Sequence, residues 1–335
     1  MSASEQTGVL PPPPAPAPDR RLRVGPGRGA LLAAGVCLTA LGPLTRFYIA
    51  PQLIVAPTDI YQTTTLVAAG ATYFDQGALK TVRGATLTYT GTVRGAPGSS
   101  TGDTAVWDSF SALEDLDRGT RVTLSTQRFA FDRRTGRLST CCGAALDGDT
   151  RVRQEGLGLF WPIGVDRADY PLYDSGTRRA WPARYAGQDT VEGIRTYRFV
   201  QHVPPTKVGT VPAMPRSLLG LPAGHGEDAA VPADRYYAAD VTIWVDPRTG
   251  VTVDRHQKVS TVLHGPGGRG TLVAADMDLR MTPKVRADLA DKSRDSALTI
   301  TLLRTVLPLA ASGVGLLLTA AALLRPRRRA QQQAR

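Results

Sequence analysis

Hydrophobic positions along the chain follow two kinds of pattern. Near either end they run unbroken: residues 29–45 (GALLAAGVCLTALGPLT) and 305–324 (TVLPLAASGVGLLLTAAALL) contain no charge. A helix rises about 1.5 Å per residue, so roughly 20 apolar residues match the ~30 Å hydrocarbon thickness of a bilayer. The second run meets that length. The first reaches it with Phe47, Tyr48 and Ile49, and aromatic rings suit the membrane interface. Between the runs the period is two. Leu87, Tyr89, Gly91 and Val93 alternate with threonines, and Val241, Ile243 and Val245 with Thr242, Trp244 and Asp246. Val273, Ala275, Met277, Leu279 and Met281 form a third stripe. Such alternation predicts strands with one wet and one dry face, hence antiparallel sheet. The expected class is mainly β (α+β): a large, curved antiparallel sheet between N- and C-terminal transmembrane helices.

Punctuation divides the chain further. Residues 1–28 form a proline-rich tail (PPPPAPAP) too poor in apolar residues to fold, and read as a spacer. Residues 29–49 are the first membrane helix, 50–282 the β-rich domain, 283–297 a juxtamembrane helix, 298–324 the second membrane helix and 325–335 a basic tail. The helix from residue 283 opens on a proline and carries mixed charges, as a surface helix does. Residues 211–232, rich in Pro and Gly, predict an irregular excursion from the sheet. One turn occurs twice, in FAFDRRTGRL (129–138) and IWVDPRTGVTV (243–253). In each, Asp can accept from backbone two residues on, and Gly136 or Gly250 can supply the positive φ that closes a hairpin. Two related half-sheets and two independent hairpins account for it equally well.

Charge sets the orientation. Of 335 residues, 40 are Lys or Arg and 29 Asp or Glu, a net charge of +11. Most of the excess lies in the tails: Arg20, Arg21, Arg23 and Arg28 precede the first run, and Arg325, Arg327, Arg328 and Arg329 follow the second. The positive-inside rule places both termini in the cytoplasm and the central domain outside. No basic stripe interleaved with aromatics remains in the middle, which argues against nucleic acid as a partner. Lysine occurs only at 80, 207, 258, 284 and 292, and asparagine is absent, a bias toward GC-rich codons. An arginine alone therefore points to no site. The first run is read as a retained anchor rather than a cleaved signal: it exceeds a typical signal core, and Val36 before Cys37 departs from a lipoprotein signal. Arg46 and Arg304 sit at the outer ends of the runs, near Pro43 and Pro308. Either they serve a path through the bilayer or they snorkel to the outer headgroups, and their terminal placement favours snorkelling.

Candidate chemistry is sparse. His202, His225, His256 and His264 lack zinc-site spacing, and neither a Gly-x-Ser-x-Gly elbow nor a phosphate-binding loop occurs. Asp147 and Asp149 in LDGDT lack the twelve-residue calcium-loop pattern and read as an Asp-Gly turn. Neither catalytic residues, a metal nor a cofactor is expected, and the chain is not read as an enzyme. Cys141 and Cys142 are adjacent in an oxidising compartment. Neighbouring Cα atoms lie about 3.8 Å apart, short of the usual ~4.4–6.8 Å span of a disulfide. A strained vicinal bridge, a structural turn and a pair of free thiols all fit, as does redox sensing. Cys37 lies in the first apolar run and is no partner for either.

The chain resembles the actinobacterial family DUF3068, also labelled porin PorA. The matching residues are PLTRFYIAPQLIVAP (43–57), GDTAVWD (102–108), the CCG step with DGDT, RYAGQDTVEGIRTYRFVQHVPPT (184–206), the WVDPRTGV hairpin and the closing helix. The resemblance covers residues 30–325 and implies membrane-anchored envelope proteins. The porin label conflicts with a chain offering two apolar helices and no lipid-facing strands, so a pore would require an oligomer. More faintly, two terminal helices around a β-rich domain carrying GIRTYRFV (193–200) are similar in topology to the CD36 class of scavenger receptors, which implies a lipid-conducting tunnel. The expected function is binding or transfer of an apolar, lipid-like envelope ligand, with membrane lipids as the other partners. A structural or signalling scaffold and a channel subunit are the alternatives.

Overall fold

The structure is a computed structural model and describes residues 26–222 and 229–324. His225 and the arginines at 20, 21, 23, 325, 327, 328 and 329 lie outside the described residues. The chain divides into two compact units: one holds the terminal helices, up to Thr45 and from Leu307, and the other is Arg46–Val306.

In the first unit, α1 (Pro26–Leu44) packs on α4 (Leu307–Leu324). Small residues let the backbones approach, as helices in lipid require. A Cβ on Gly315 would lie 2.5 Å from the Thr39 nitrogen, and one on Gly42 would lie 2.6 Å from the Pro308 carbonyl oxygen. Leu309, Leu317 and Leu324 are exposed, as a lipid-facing surface would be.

The second unit opens with a π-helical turn (Thr45–Ile49) and the short α2 (Ala50–Leu53). Strands follow as β1 (Tyr61–Asp75), β2 (Lys80–Gly95), β3 (Thr104–Asp115), β4 (Thr120–Asp132), β5 (Leu138–Ser139) and β6 (Ala145–Leu146). Then come β7 (Tyr170–Asp174), β8 (Arg179–Val191), β9 (Ile194–Pro215), β10 (Ala230–Val245), β11 (Thr252–His264) and β12 (Thr271–Met281). α3 (Pro283–Thr301) and a second π turn (Leu302–Val306) complete it. The strands form one antiparallel sheet in the order β5-β4-β3-β2-β1-β12-β11-β10-β9-β8-β7, with β6 beside β4. Two meanders thus meet where β1 pairs with β12. The sheet curls into a half-barrel, and Leu157 links its two edges. Leu157 bridges Arg137 on one side and Leu172 on the other, donating to the Pro171 carbonyl at 2.7 Å and accepting from the Tyr173 N–H at 2.8 Å.

Two expectations change. The excursion expected over residues 211–232 is shorter: β9 continues to Pro215 and β10 starts at Ala230, with a 3-10 turn at Arg216–Leu219 between them. Prolines survive here because they sit where the ladder skips. Pro204 and Pro205 fall in the register shift between Val203 and Thr206, and Pro212 in the one between Val211 and Met214. Val273 leaves the dry stripe. A shift opposite Thr261 and Val262 turns it outward, 41% exposed. The other stripes lie in β2, β10 and β12, and the sheet class is as the alternation predicts.

Candidate functional site

Directly opposed residues of neighbouring strands share a face, so the register can be read as rows across β1–β4. Gln62, Val93, Ser109 and Gln127 form one row, and Thr64, Gly91, Ser111 and Ser125 the next. On one side of this polar pair of rows lie Gly95, Trp107 and Phe129; on the other lie Leu66, Tyr89 and Leu113. All are on the concave face, because Trp107, Phe129 and Phe131 pack with Tyr173 from the opposite edge of the sheet, a contact only a curled sheet permits. Leu66, Leu113, Trp107 and Phe129 are buried, whereas the eight polar-row residues stay partly exposed. A trough about 14 Å wide at the usual spacing therefore crosses four strands between two apolar borders. It is lined by hydroxyls and amides on β1, β3 and β4 and by Val93 and Gly91 on β2, with Val93 packing against the aromatic border. The Tyr89 ring lies beside Gly91, 3.2 Å from where a Cβ would sit. The Gln127 Nε2 group is buried with no partner, a free donor at one end of the trough. Gly91 was legible as a stripe position; the serines at 109 and 111 were not recognised, though polar residues at matching heights in adjacent strands are the signal for such a band.

Where β1 begins and β12 ends, three segments meet. The two Asp-x-Arg-Thr-Gly turns both seat against residues 160–162: a Cβ on Gly136 (φ 72°) would lie 2.6 Å from the Phe160 carbonyl oxygen, and one on Gly250 (φ 74°) 2.9 Å from that of Pro162. Phe160 stacks on Phe131 (5.6 Å), and Trp161 on Phe199 (4.7 Å). Each turn also holds one helix-linked segment. Arg133 Nε donates to the Ala56 carbonyl at 2.8 Å, and Arg134 to that of Pro51. Asp246, fully buried, accepts from Ser293 Oγ of α3 at 2.8 Å and from Arg248 Nη2 at 2.7 Å.

α3 lies over the concave face. Leu289 and Val285 pack with Leu66 and Met281, and Lys292 donates to Gln62 Oε1 in the first polar row. Burial pulls the Lys292 ammonium below the usual lysine range. The other three basic side chains of α3 have carboxylate partners: Lys284 has Asp288, Arg286 has Glu192 and Asp254, and Arg294 has Asp291. Among the described residues, Lys292 has none.

The remaining sequence candidates stand apart from this trough. Arg46 lies 5.8 Å from the Phe47 ring centre and donates to the Arg304 carbonyl; Phe47 and Tyr48 are exposed. Arg28 donates to the Leu323 carbonyl at 3.3 Å. Cys141 and Cys142 are joined in an exposed loop. Asp147 and Gly148 both have positive φ (50° and 80°), which makes the expected Asp-Gly turn. His202 pairs with Asp240 at 2.7 Å and His256 with Asp278, both on the convex face. Arg128 grips Asp108 through two bonds there, at 2.6 and 2.8 Å. A convex face so charged is not a lipid-facing barrel wall.

A curled, ion-paired sheet domain together with two helices apolar enough to cross a membrane, Gly27–Leu53 and Pro283–Leu324, defines a membrane protein with a β-rich domain. The family description Porin PorA matches residues 29–324, and the chain belongs to that family. It is similar to Porin PorA of Corynebacterium resistens, 24% identical over 186 residues, covering 43% of this chain and 44% of that protein. It is also similar to Porin PorA of Corynebacterium amycolatum, 25% identical over 119 residues, covering 30% and 31% respectively. The chain thus spans less than half the length of the curated relatives it matches.

Proposed function

We propose that this chain is a two-span envelope protein, with both termini cytoplasmic and the sheet domain extracytoplasmic, whose concave face takes up an amphipathic, lipid-like envelope molecule for binding or transfer. The observation that supports this is the lining of the trough. Apolar rows through Trp107 and Leu66 offer surface to hydrocarbon, and the rows from Gln62 to Gln127 and from Thr64 to Ser125 offer donors and acceptors to a polar head. The alternating stripes led to an apolar, lipid-like ligand; the register favours one whose polar group also meets the sheet. The topological likeness to the CD36 class points the same way, as an analogy only. Lipid extraction and mass spectrometry of the full chain, purified in nonionic detergent, test it. Wild type should carry a co-purifying lipid, and Ser111→Trp, which fills the trough, should lose it with an unchanged circular dichroism spectrum. Wild-type extract free of lipid would overturn the reading.

The name of the relatives, Porin PorA, supports a second reading, an oligomeric channel. Because the convex face is ion-paired, such a pore would run between helices of several copies rather than through a lipid-embedded barrel. Planar-bilayer conductance of the purified chain decides it, with silence at high protein load counting against it. Orientation rests on the flanking arginines. Added protease should cut the sheet domain in wall-stripped cells and spare both tails.

A further inference from the structure

We propose that Lys292 is the anchor for an anionic head, a phosphate or carboxylate, on the ligand of the concave trough; this rests on the ligand-binding reading above. A desolvated ammonium is costly without a counter-charge. Three of the four basic side chains on α3 have carboxylates, while Lys292, held under the helix, reaches among the described residues only the amide oxygen of Gln62. Its position is not incidental to the trough. Gln62 heads the polar row that continues through Ser109 to Gln127. At that far end the buried Gln127 Nε2 is a second donor lacking a partner. On the β4 side Asp147 accepts from Ser125 Oγ and the Thr126 N–H, at 2.9 and 2.8 Å, so the Ser125 hydroxyl is already committed there. The Lys292 ammonium, without a carboxylate among the described residues, and the Thr64 hydroxyl in the adjacent row of the same strand as Gln62 are complementary to an oxyanion carried into the trough. Gln127, three strands away, is placed for another polar group of the same ligand. The apolar borders on either side accept the chain to which that oxyanion is attached. Thr64 and Ser111 in the adjacent row supply hydroxyls that serve either oxyanion.

The test uses the full chain in maltoside micelles and isothermal titration with three probes: short-chain phosphatidic acid, phosphatidylcholine of the same chain length, and inorganic phosphate. Phosphatidic acid should bind at least about tenfold tighter than phosphatidylcholine. Lys292→Gln should remove that margin, the scale of one hydrogen bond to a charged group. Lys292→Arg should retain it, and Lys284→Gln, at an exposed lysine paired on the same helix, should leave it unchanged. Equal binding of both lipids, unaffected by Lys292→Gln, would overturn the anionic anchor while leaving lipid binding intact. Binding of neither lipid would overturn both. Phosphate binding as tightly as phosphatidic acid, with the same loss in Lys292→Gln, would keep the oxyanion site but remove the lipid as its source. Melting curves of the variants guard against misfolding: a Lys292→Gln chain that melts like wild type yet loses the margin supports a binding role.

Discussion

Arg46 donates through Nη1 to the backbone carbonyl of Arg304, 2.6 Å away. In an α-helix that carbonyl would accept from the N–H four residues on, but residue 308 is proline and has none. Arg46 therefore supplies a donor in place of the one Pro308 lacks, at the π turn Leu302–Val306. Arg46→Ala should destabilise the full chain in micelles by about 1–3 kcal/mol. Pro308→Ala restores the missing N–H, so Arg46→Ala in that background should cost measurably less. A thermal-unfolding double-mutant cycle with no coupling would refute this account.

The two motif glycines face carbonyl oxygens as well as adopting positive φ. Gly70 also has positive φ (70°), but nothing lies within 4 Å of its Cβ position. Gly70→Ala should cost only the left-handed strain, roughly 1–2 kcal/mol. Gly250→Ala should cost a further ~1–3 kcal/mol, because the segment at Trp161 and Pro162 must move. Denaturant midpoints of the two variants compare them directly.

Asp115 is fully buried beneath Tyr73 and Arg118. Burial alone would push its carboxyl up. The Arg118 guanidinium, the Tyr73 hydroxyl and the backbone N–H groups of Arg118 and Asp117 outweigh that and hold it below its ordinary value of 3.8. A depressed carboxyl contributes stability above the unfolded value, lost as pH falls through the folded one. Melting temperature should therefore drop below about pH 4, and Asp115→Asn should flatten that acid limb while lowering stability at neutral pH. Tyr73→Phe should cost about 1 kcal/mol at neutral pH.

In the helix pair, Gly315 faces the Thr39 backbone nitrogen at 2.5 Å from its Cβ position, whereas Gly313 has nothing within 4 Å. Gly315→Leu should separate α1 from α4 and lower the melting temperature in micelles, and Gly313→Leu should be near neutral. Equal effects would show that the close approach is dispensable.

Cys141 and Cys142 are bridged and Cys37 is free. Thiol labelling of the denatured, unreduced chain should therefore find one reactive thiol, rising to three after reductant. Three at the outset would remove the bridge.

The apolar runs, the stripes in β2, β10 and β12, and both Asp-x-Arg-Thr-Gly hairpins were readable from residue order, because each depends on neighbours a few positions away. The strand continuation through Pro212 was not, since a proline is tolerated only when a partner strand skips past it, and that partner, β10, lies beyond the next loop. The trough was missed for a related reason. Ser109 and Gln127 become one row only after β3 and β4 choose their register, and Lys292 joins them from more than 150 residues away.

Periodicity and charge alone determined the two apolar helices, the antiparallel class between them and the turn chemistry that reverses the strands. Those follow from local hydrogen bonding and from which side chains avoid water. Tertiary structure alone decided that both turns clasp one crossing segment, that Arg46 donates to the Arg304 carbonyl, and that one lysine lies over a polar trough with no carboxylate partner among the described residues. These are relations between groups remote in sequence, brought together by register and curl, and residue order by itself carries no record of such distances.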